Sequence, residues 1–431
     1  MDVLVIGSGA REHCICWKLK SGSGTGKIYA IPGNPGISKS GQCYDLGTGS
    51  GNFKDIADFA FEKQVSCTIV GPEAPLVEGI VDYFNGRGLR IFGPDKRAAA
   101  IEGSKVFTKQ LCEKYSIPTA AGVTFERTQY QKALSYIESL NEDDFPIVLK
   151  ADGLAAGKGV MIPETKQSAI LDIQNCFIKN AFGNAGDKLI LEKFIRGFEV
   201  SVLCLCDGKN ILPMALAQDY KKIFDGDKGK NTGGMGSYSP VPFVDAKLYK
   251  KILEQIIYPT YDGLLNEGIA YKGILYGGIM VSGNEPLLLE YNCRFGDPET
   301  QAILPRLDGD LLEVLVKCAD GKLGGSNLKW DNLKSVCVVL ASKGYPETSS
   351  KDDLISGLDF LENSRDVEVF HAGTKSAGTG IYTNGGRVLS IAAKGKTFKD
   401  ARKKAYMAVS DIKFEGMQYR KDIALKVEEE I

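Results

Sequence analysis

The chain has 431 residues, 43% hydrophobic and 25% charged, with 53 Lys plus Arg against 54 Asp plus Glu and a formal net charge of -1. That length accommodates roughly three domains, the composition is that of an ordinary soluble protein rather than a disordered one, and the balanced charge gives no general attraction to nucleic acid or anionic membrane. The 11 cysteines lack CxxC spacing and His13 and His371 are the only histidines, so neither a disulfide framework nor a zinc site is supported.

MDVLVIG opens the chain as a strand without a basic leader, and no apolar run is long enough to span a bilayer, which together predict a cytoplasmic location. VLVIGSGAREH runs into a glycine turn, and strand-like runs at Lys27 to Ile31, Cys67 to Gly71 and Arg90 to Gly93 alternate with helical patterns. Such alternation predicts a parallel sheet flanked by helices, with ligand-facing loops at the carboxyl ends of its strands. Three of those ends carry glycine: GSGAREH, PGNPGIS and VGPEAPLV. GSGAREH lacks the third glycine of a dinucleotide fingerprint, and IPGNPGIS stands where an acidic ribose-binding end belongs. Phosphate or sugar-phosphate binding ranks higher, with Gly33, Asn34 and Gly36 as backbone donors, and a plain turn competes for either segment.

After Ser104, KVFTKQLCEKYSIPTA reads as an amphipathic helix running into an X-Pro break, which bounds an N-terminal α/β domain at 1–104. IVLKADGLAAGKGV then ends a strand on Lys150 and enters a loop with Gly153, Gly157 and Gly159. Lys150 and Lys158 suit adjacent phosphates under a closing loop, although the spacing is not that of a Walker A motif and a stray lysine in a glycine-rich connection explains it equally well. LILEKFIRGFEVSVLCL sets Glu192 and Glu199 on either side of a short break. Backbone groups near Lys193 and Phe194 suit an adenine edge, and Glu199 suits ribose hydroxyls, against the commoner reading of solvated hairpin carboxylates. Asp219 in AQDYKK suits an amino group or a surface salt bridge. DGDKGKNTGGMGSYSP reads as a moulded loop whose amides hold anionic oxygens, or as a flexible linker.

In LLLEYNCRFGDPETQ, strand alternation puts Glu290 and Asn292 on one face, where a carboxylate and an amide oxygen can share a hard cation such as magnesium. Arg294 extends the row with a fork suited to a carboxylate or a transferring phosphoryl group. The plainer alternative is a buried strand ending in a surface salt bridge. Residues 105–327 thus read as one α+β nucleotide-binding unit, and 328–431 as a third domain. In that domain SVCVVLAS is a buried strand, and Asn384, Gly385 and Gly386 mark a hairpin turn. Its last helix starts at Phe398, with Ala401, Ala405, Val409 and Ile412 at helical spacing and Thr397 as N-cap.

Assembled in order, GSGAREH, GNPGIS, GPEAPLV, KADGLAAGKGV, NTGGMGSYSP and NCRFGDPETQ, followed by HAGT, TNGGRVL and FEGMQYRKDI, give a nearly full-length likeness. The chain resembles the phosphoribosylamine-glycine ligases, or glycinamide ribonucleotide synthetases, of purine biosynthesis. The resemblance implies a multidomain α/β and α+β enzyme: a parallel-sheet N-terminal domain, an ATP-grasp domain with a lid subdomain at about 122–193, and a small C-terminal α+β domain. It implies ATP, magnesium (or manganese), glycine and 5-phosphoribosylamine as ligands, no nucleic-acid or membrane partner, and a monomer. Residue by residue, it assigns Lys105, Lys150, Gly157, Lys158, Glu192, Phe194 and Glu199 to ATP, and Glu290 with Asn292 to the metal. Gly33, Asn34, Gly36, Glu73, Gly233, Gly234, Met235 and Arg294 fall to the substrates, and Arg294, Lys150 and Asp219 to catalysis. The chain departs from the family's usual residues at Ala10, Pro35, Tyr220, Lys222, Lys230, Ser237 and Cys293. Tyr220 and Lys222 matter most, because an imidazole and a guanidinium are lost beside Asp219. The expected chemistry is phosphorylation of glycine's carboxylate by ATP, then displacement of phosphate by the amine. The rivals are another ATP-grasp ligase of purine metabolism, an NAD-dependent oxidoreductase using GSGAREH, and a noncatalytic nucleotide-binding protein.

Overall fold

The structure, a computed structural model, describes residues 1–154, 159–361 and 366–429. Five strands, β1 (Val3–Gly7), β2 (Ile28–Pro32), β3 (Gln42–Cys43), β4 (Cys67–Val70) and β5 (Ile91–Phe92), form one sheet in the order β3-β2-β1-β4-β5. All neighbours pair in parallel. Val3, Leu4, Val5 and Ile6 are fully buried, because helices cover both faces of the sheet and every side of the strand must be apolar.

A second, antiparallel sheet holds β6 (Gly122–Glu126), β7 (Ile147–Ala151), β8 (Val160–Met161) and β9 (Lys188–Lys193), in the order β6-β9-β7-β8. Helices Tyr130–Ser139 and Lys166–Phe177 pack on it and bury Ile137, Ile173, Phe177, Leu149 and Leu191 in a core separate from the rest of the chain. Each such side chain contributes roughly 1.5–3 kcal/mol by leaving water, so this layer coheres by itself.

The third sheet carries the long strands Phe198–Asp207, Lys272–Ser282 and Glu285–Asn292, antiparallel throughout. Its pairing register shifts at Gly278/Ile279, where Gly278 faces Glu290 but Ile279 faces Leu288, leaving Leu289 as the extra residue of a bulge.

The fourth sheet crosses a sequence boundary. Gln218–Asp219 and Gly236–Ser239 join Lys334–Ala341, Arg387–Gly395 and Val367–His371 in one five-stranded sheet. The glycine-rich segment after Asp225 is therefore no linker. Its Lys228–Asn231 stretch pairs antiparallel with the preceding Lys222–Phe224, and the chain then enters the shared sheet.

Asn384, Gly385 and Gly386 do not make the hairpin that the sequence predicts. Gly380–Thr383 pairs with Thr374–Ala377 and Leu354–Ile355, whereas Arg387–Gly395 belongs to the other sheet. The chain changes sheets at these glycines because it passes close to Gly373: the Asn384 N–H donates to the Gly373 carbonyl at 2.7 Å, and a Cβ on Gly385 would lie 3.1 Å from the Gly373 Cα. The final long helix, Phe398–Asp411, follows the sequence pattern, with Thr397 Oγ1 accepting from the Asp400 N–H at 3.1 Å. Among the described residues no helix is long and apolar enough to cross a membrane.

Candidate functional site

Two cavities, of about 470 and 660 Å³, meet between the second sheet and the third. Lys150, Glu192, Asp219, Lys221 and Glu290 belong to the walls of both. Arg11, Glu73, Glu102 and Arg294 line only the first, and Phe194 and Glu199 only the second.

The junction follows from strand geometry. Glu199 and Glu290 stand on strands separated by the one that carries Gly278, whose missing side chain opens the space between them: a Cβ there would sit 3.4 Å from Glu199 Oε1 and 3.5 Å from Glu290 Cγ. The ammonium of Lys221 fills that space, ion-paired to Glu199 and 3.4 Å from Glu290 Oε1. Burial pushes Glu290 up, but the ammoniums of Lys221, Lys150 and Lys105 outweigh it and hold the carboxyl below its ordinary range. Asp219 goes the other way: burial raises it well above the usual carboxylate range, and Lys221 opposes this without cancelling it. Its Oδ1 is buried with no hydrogen-bond partner. An acceptor left bare in this way is costly.

Lys150, at the end of β7, donates to the carbonyl of the bulged Leu289 at 2.8 Å and pairs with Glu192 at 2.7 Å. Lys109 pairs with the other Glu192 oxygen at 2.7 Å. Lys105 Nζ holds the Ala151 and Gly153 carbonyls at 3.0 and 2.9 Å, fixing the entry of the glycine loop. Gly157 and Lys158 lie outside the described residues. Arg294 extends from the Glu290 and Asn292 row, but its fork is engaged by the protein: Glu73 at 3.2 Å, Glu102 at 3.3 Å and Asn292 Oδ1 at 3.2 Å. Burial pushes both of these carboxyls up. Beside the guanidinium Glu73 ends below its ordinary value, while the more deeply buried Glu102 stays raised.

Several residues named from sequence are placed elsewhere. Gly33, Asn34 and Gly36 are not brought into either cavity wall. Asn34 spends its amide on the Ser8 and His371 carbonyls, both at 2.8 Å, and its Oδ1 on the Ile37 N–H. Gly36 is a glycine because a Cβ would meet the His13 ring at 2.2 Å. Gly233 lines the first cavity, but Gly234, at φ +110°, packs where a Cβ would lie 2.4 Å from Pro298 Cδ. Met235 is fully buried with Ile223, Ala341 and Tyr345. The N-terminal glycines have a similar explanation. The Gly9 N–H donates to Glu12 Oε2 at 2.6 Å, and a Cβ on Gly7, Gly9 or Gly71 would lie 2.6, 2.7 or 2.0 Å from that side chain. The turn is filled by its own carboxylate, which argues against a pyrophosphate there.

Sequence reading passed over Glu102, Lys109 and Lys221. Lys221 stands in AQDYKK between Tyr220 and Lys222, and its ion pairs, with partners 22 and 69 positions away, are what distinguish it.

A lid sheet with its own core, facing a strand that ends in a Glu-x-Asn pair across a cationic cavity, defines an ATP-grasp fold. The comparisons agree. Residues 1–102, 103–300 and 335–426 match the N, ATP-grasp (A) and C domains of phosphoribosylglycinamide synthetase. A phosphoribosylamine–glycine ligase of Caldanaerobacter subterraneus is 47% identical over 98% of this chain and 99% of its own length. The crystal structure of that ligase from Thermotoga maritima superposes with TM-score 0.84 at 32% identity, covering 98% of this chain and 100% of its own. The biotin carboxylase domain of a Hydrogenobacter thermophilus carboxylase, solved with MgADP and bicarbonate, shares the fold at 16% identity and TM-score 0.73, over 97% of this chain and 91% of its own. This chain belongs to the phosphoribosylglycinamide synthetase family.

Proposed function

We propose that the protein joins glycine to 5-phosphoribosylamine, converting ATP to ADP and phosphate and giving glycinamide ribonucleotide in de novo purine biosynthesis. The observation that carries this reading is the meeting of two cavities at Glu290, in a chain of this family. A carboxylate is a poor acyl donor because its leaving group is oxide. Attack by a glycine carboxylate oxygen on the γ-phosphorus, with rupture of the bridging P–O bond to ADP, gives glycyl phosphate. The amine nitrogen then attacks the carbonyl carbon, the C–O bond to phosphate breaks, and the amine surrenders a proton.

Catalysis on this reading is positioning and charge compensation, without a covalent enzyme intermediate. Phe194, Glu192 and Glu199 would frame the nucleoside, and Lys105, Lys150, Gly157 and Lys158 its phosphates. Asp219, with its bare buried oxygen, suits the glycine ammonium. Arg294, steadied by Glu73 and Glu102, faces the developing acyl phosphate, and Gly233 borders the second substrate. The donor set fits a hard cation: Glu290 stays ionised, Asn292 adds an amide oxygen, and the nearby Lys221 ammonium already stands in for positive charge. Magnesium held there would offset phosphate charge, and manganese suits the same oxygens. We further propose a cytoplasmic monomer divided at 104/105 and 327/328, with the lid at about 122–193.

ADP release and glycinamide ribonucleotide formation, followed with ATP, magnesium, glycine and freshly made phosphoribosylamine, test the reading. Product should require every component; ATP binding without product would move the assignment to another carboxylate-amine pair.

A further inference from the structure

A phosphoryl group transferred at the junction requires positive charge at the junction itself. Among the described residues, Lys150 and Lys221 are the cationic side chains common to both cavity walls. Lys150 is committed to the Glu192 carboxylate and the Leu289 carbonyl. Lys221 differs. Its carbonyl is fixed by the Thr232 N–H and Oγ1, each at 2.8 Å, so the stem is anchored to the NTGG segment while, among the described residues, the head pairs with Glu199 and Glu290 and also interacts with the Asp219 carboxyl. An ammonium has three rotatable donors and no fixed plane, and can change partners without moving the backbone. Both carboxylates of its ion pairs belong to the set proposed above for ribose and metal, so ligands arriving there compete for them.

Resting on that proposed function, we propose that Lys221 is a catalytic residue: its ammonium touches the γ-phosphoryl oxygens during transfer from ATP to the glycine carboxylate. It gives up no proton and forms no bond. Its charge stays beside the group as the P–O bond to ADP breaks and the bond to glycine's oxygen forms. Before ligands arrive, the same ammonium holds the cation position beside Glu290.

Lys221→Met separates this role from that of a counter-ion. At saturating metal, ATP, glycine and phosphoribosylamine, turnover should fall about a hundredfold or more while ATP affinity stays within about threefold. Manganese alone, titrated without nucleotide and followed by the EPR signal of the free ion, should bind more tightly to the variant because a competing ammonium is gone. Unchanged turnover at saturating metal would overturn the proposal, leaving Lys221 as a counter-ion. So would unchanged manganese affinity, since the ammonium would then not occupy that position in solution. If Lys221→Met does not fold, Lys221→Arg carries the test: a loss of about tenfold or more with ATP affinity kept supports contact with the phosphoryl group, and full activity overturns it. A wild-type protein that makes no product would sink the proposed function, whereas a productive wild type beside an equally active variant sinks this inference alone.

Discussion

The guanidinium of Arg420 lies 4.7 Å above the ring of Tyr220. The same arginine is fully buried and pairs with Asp227 at 2.7 Å and Asp422 at 2.6 Å, and the Tyr220 hydroxyl accepts from the Ala424 N–H at 2.9 Å. A residue adjacent in sequence to Asp219 thus serves the packing of the C-terminal segment. Tyr220→His should forfeit the full stack and this hydrogen bond, costing about 1–2 kcal/mol in urea denaturation while turnover stays within a few-fold. A large drop in kcat with stability unchanged would return residue 220 to the chemistry.

Glu290 carries the proposed metal site. Glu290→Gln removes the charge but keeps the shape, so turnover should fall by about two orders of magnitude or more with the melting temperature little changed. Wild-type activity across a magnesium series would remove Glu290 from the ligand set.

His13 and His371 give a pH dependence. The His371 N–H donates to His13 Nδ1 at 2.8 Å, so that nitrogen must be unprotonated. Burial pushes His13 well below its ordinary range and His371 down to about 4. Because folding depresses the pKa of these bases, the unfolded chain takes up protons that the native chain refuses. The His371 contribution is therefore whole above pH about 6.5 and is lost as pH falls toward about 4, and that of His13 is lost in the same direction. For His371 the loss should approach about 3 kcal/mol. Denaturation curves of wild type and His371→Asn at pH 7 and pH 5 measure it: the variant should lose less on acidification, and parallel losses would refute the linkage.

Gly71 tests the reading of the N-terminal turn. A Cβ there would meet Glu12 Oε1 at 2.0 Å in a site where Glu12 is already bound to Arg11 and Gly9. Gly71→Ala should cost about 1–3 kcal/mol of stability, and adding Glu12→Ala should recover part of it. No recovery would show that the glycine serves something other than this carboxylate.

What depends on neighbours along the chain is legible in the order of residues alone. Alternation put Glu290 and Asn292 on one face, full burial marked β1, and helical spacing after the Thr397 cap delimited the last helix, because periods of 2 and 3.6 residues are local properties. The motifs are local as well, and they are specific enough to point to the family. Tertiary structure decided what depends on distant partners. Asn384 to Gly386 had the composition of a hairpin, yet the approach of Gly373 sent the two flanking strands to different sheets. Asn34 and His371, 337 positions apart, are joined through the Asn34 side-chain amide, a contact that no local pattern announces. Lys221 acquired meaning only when Gly278 let Glu199 and Glu290 converge on it. Charge pairing and close packing act through space at a few ångströms, so a chain read in order cannot reveal which of its many lysines and glycines will meet.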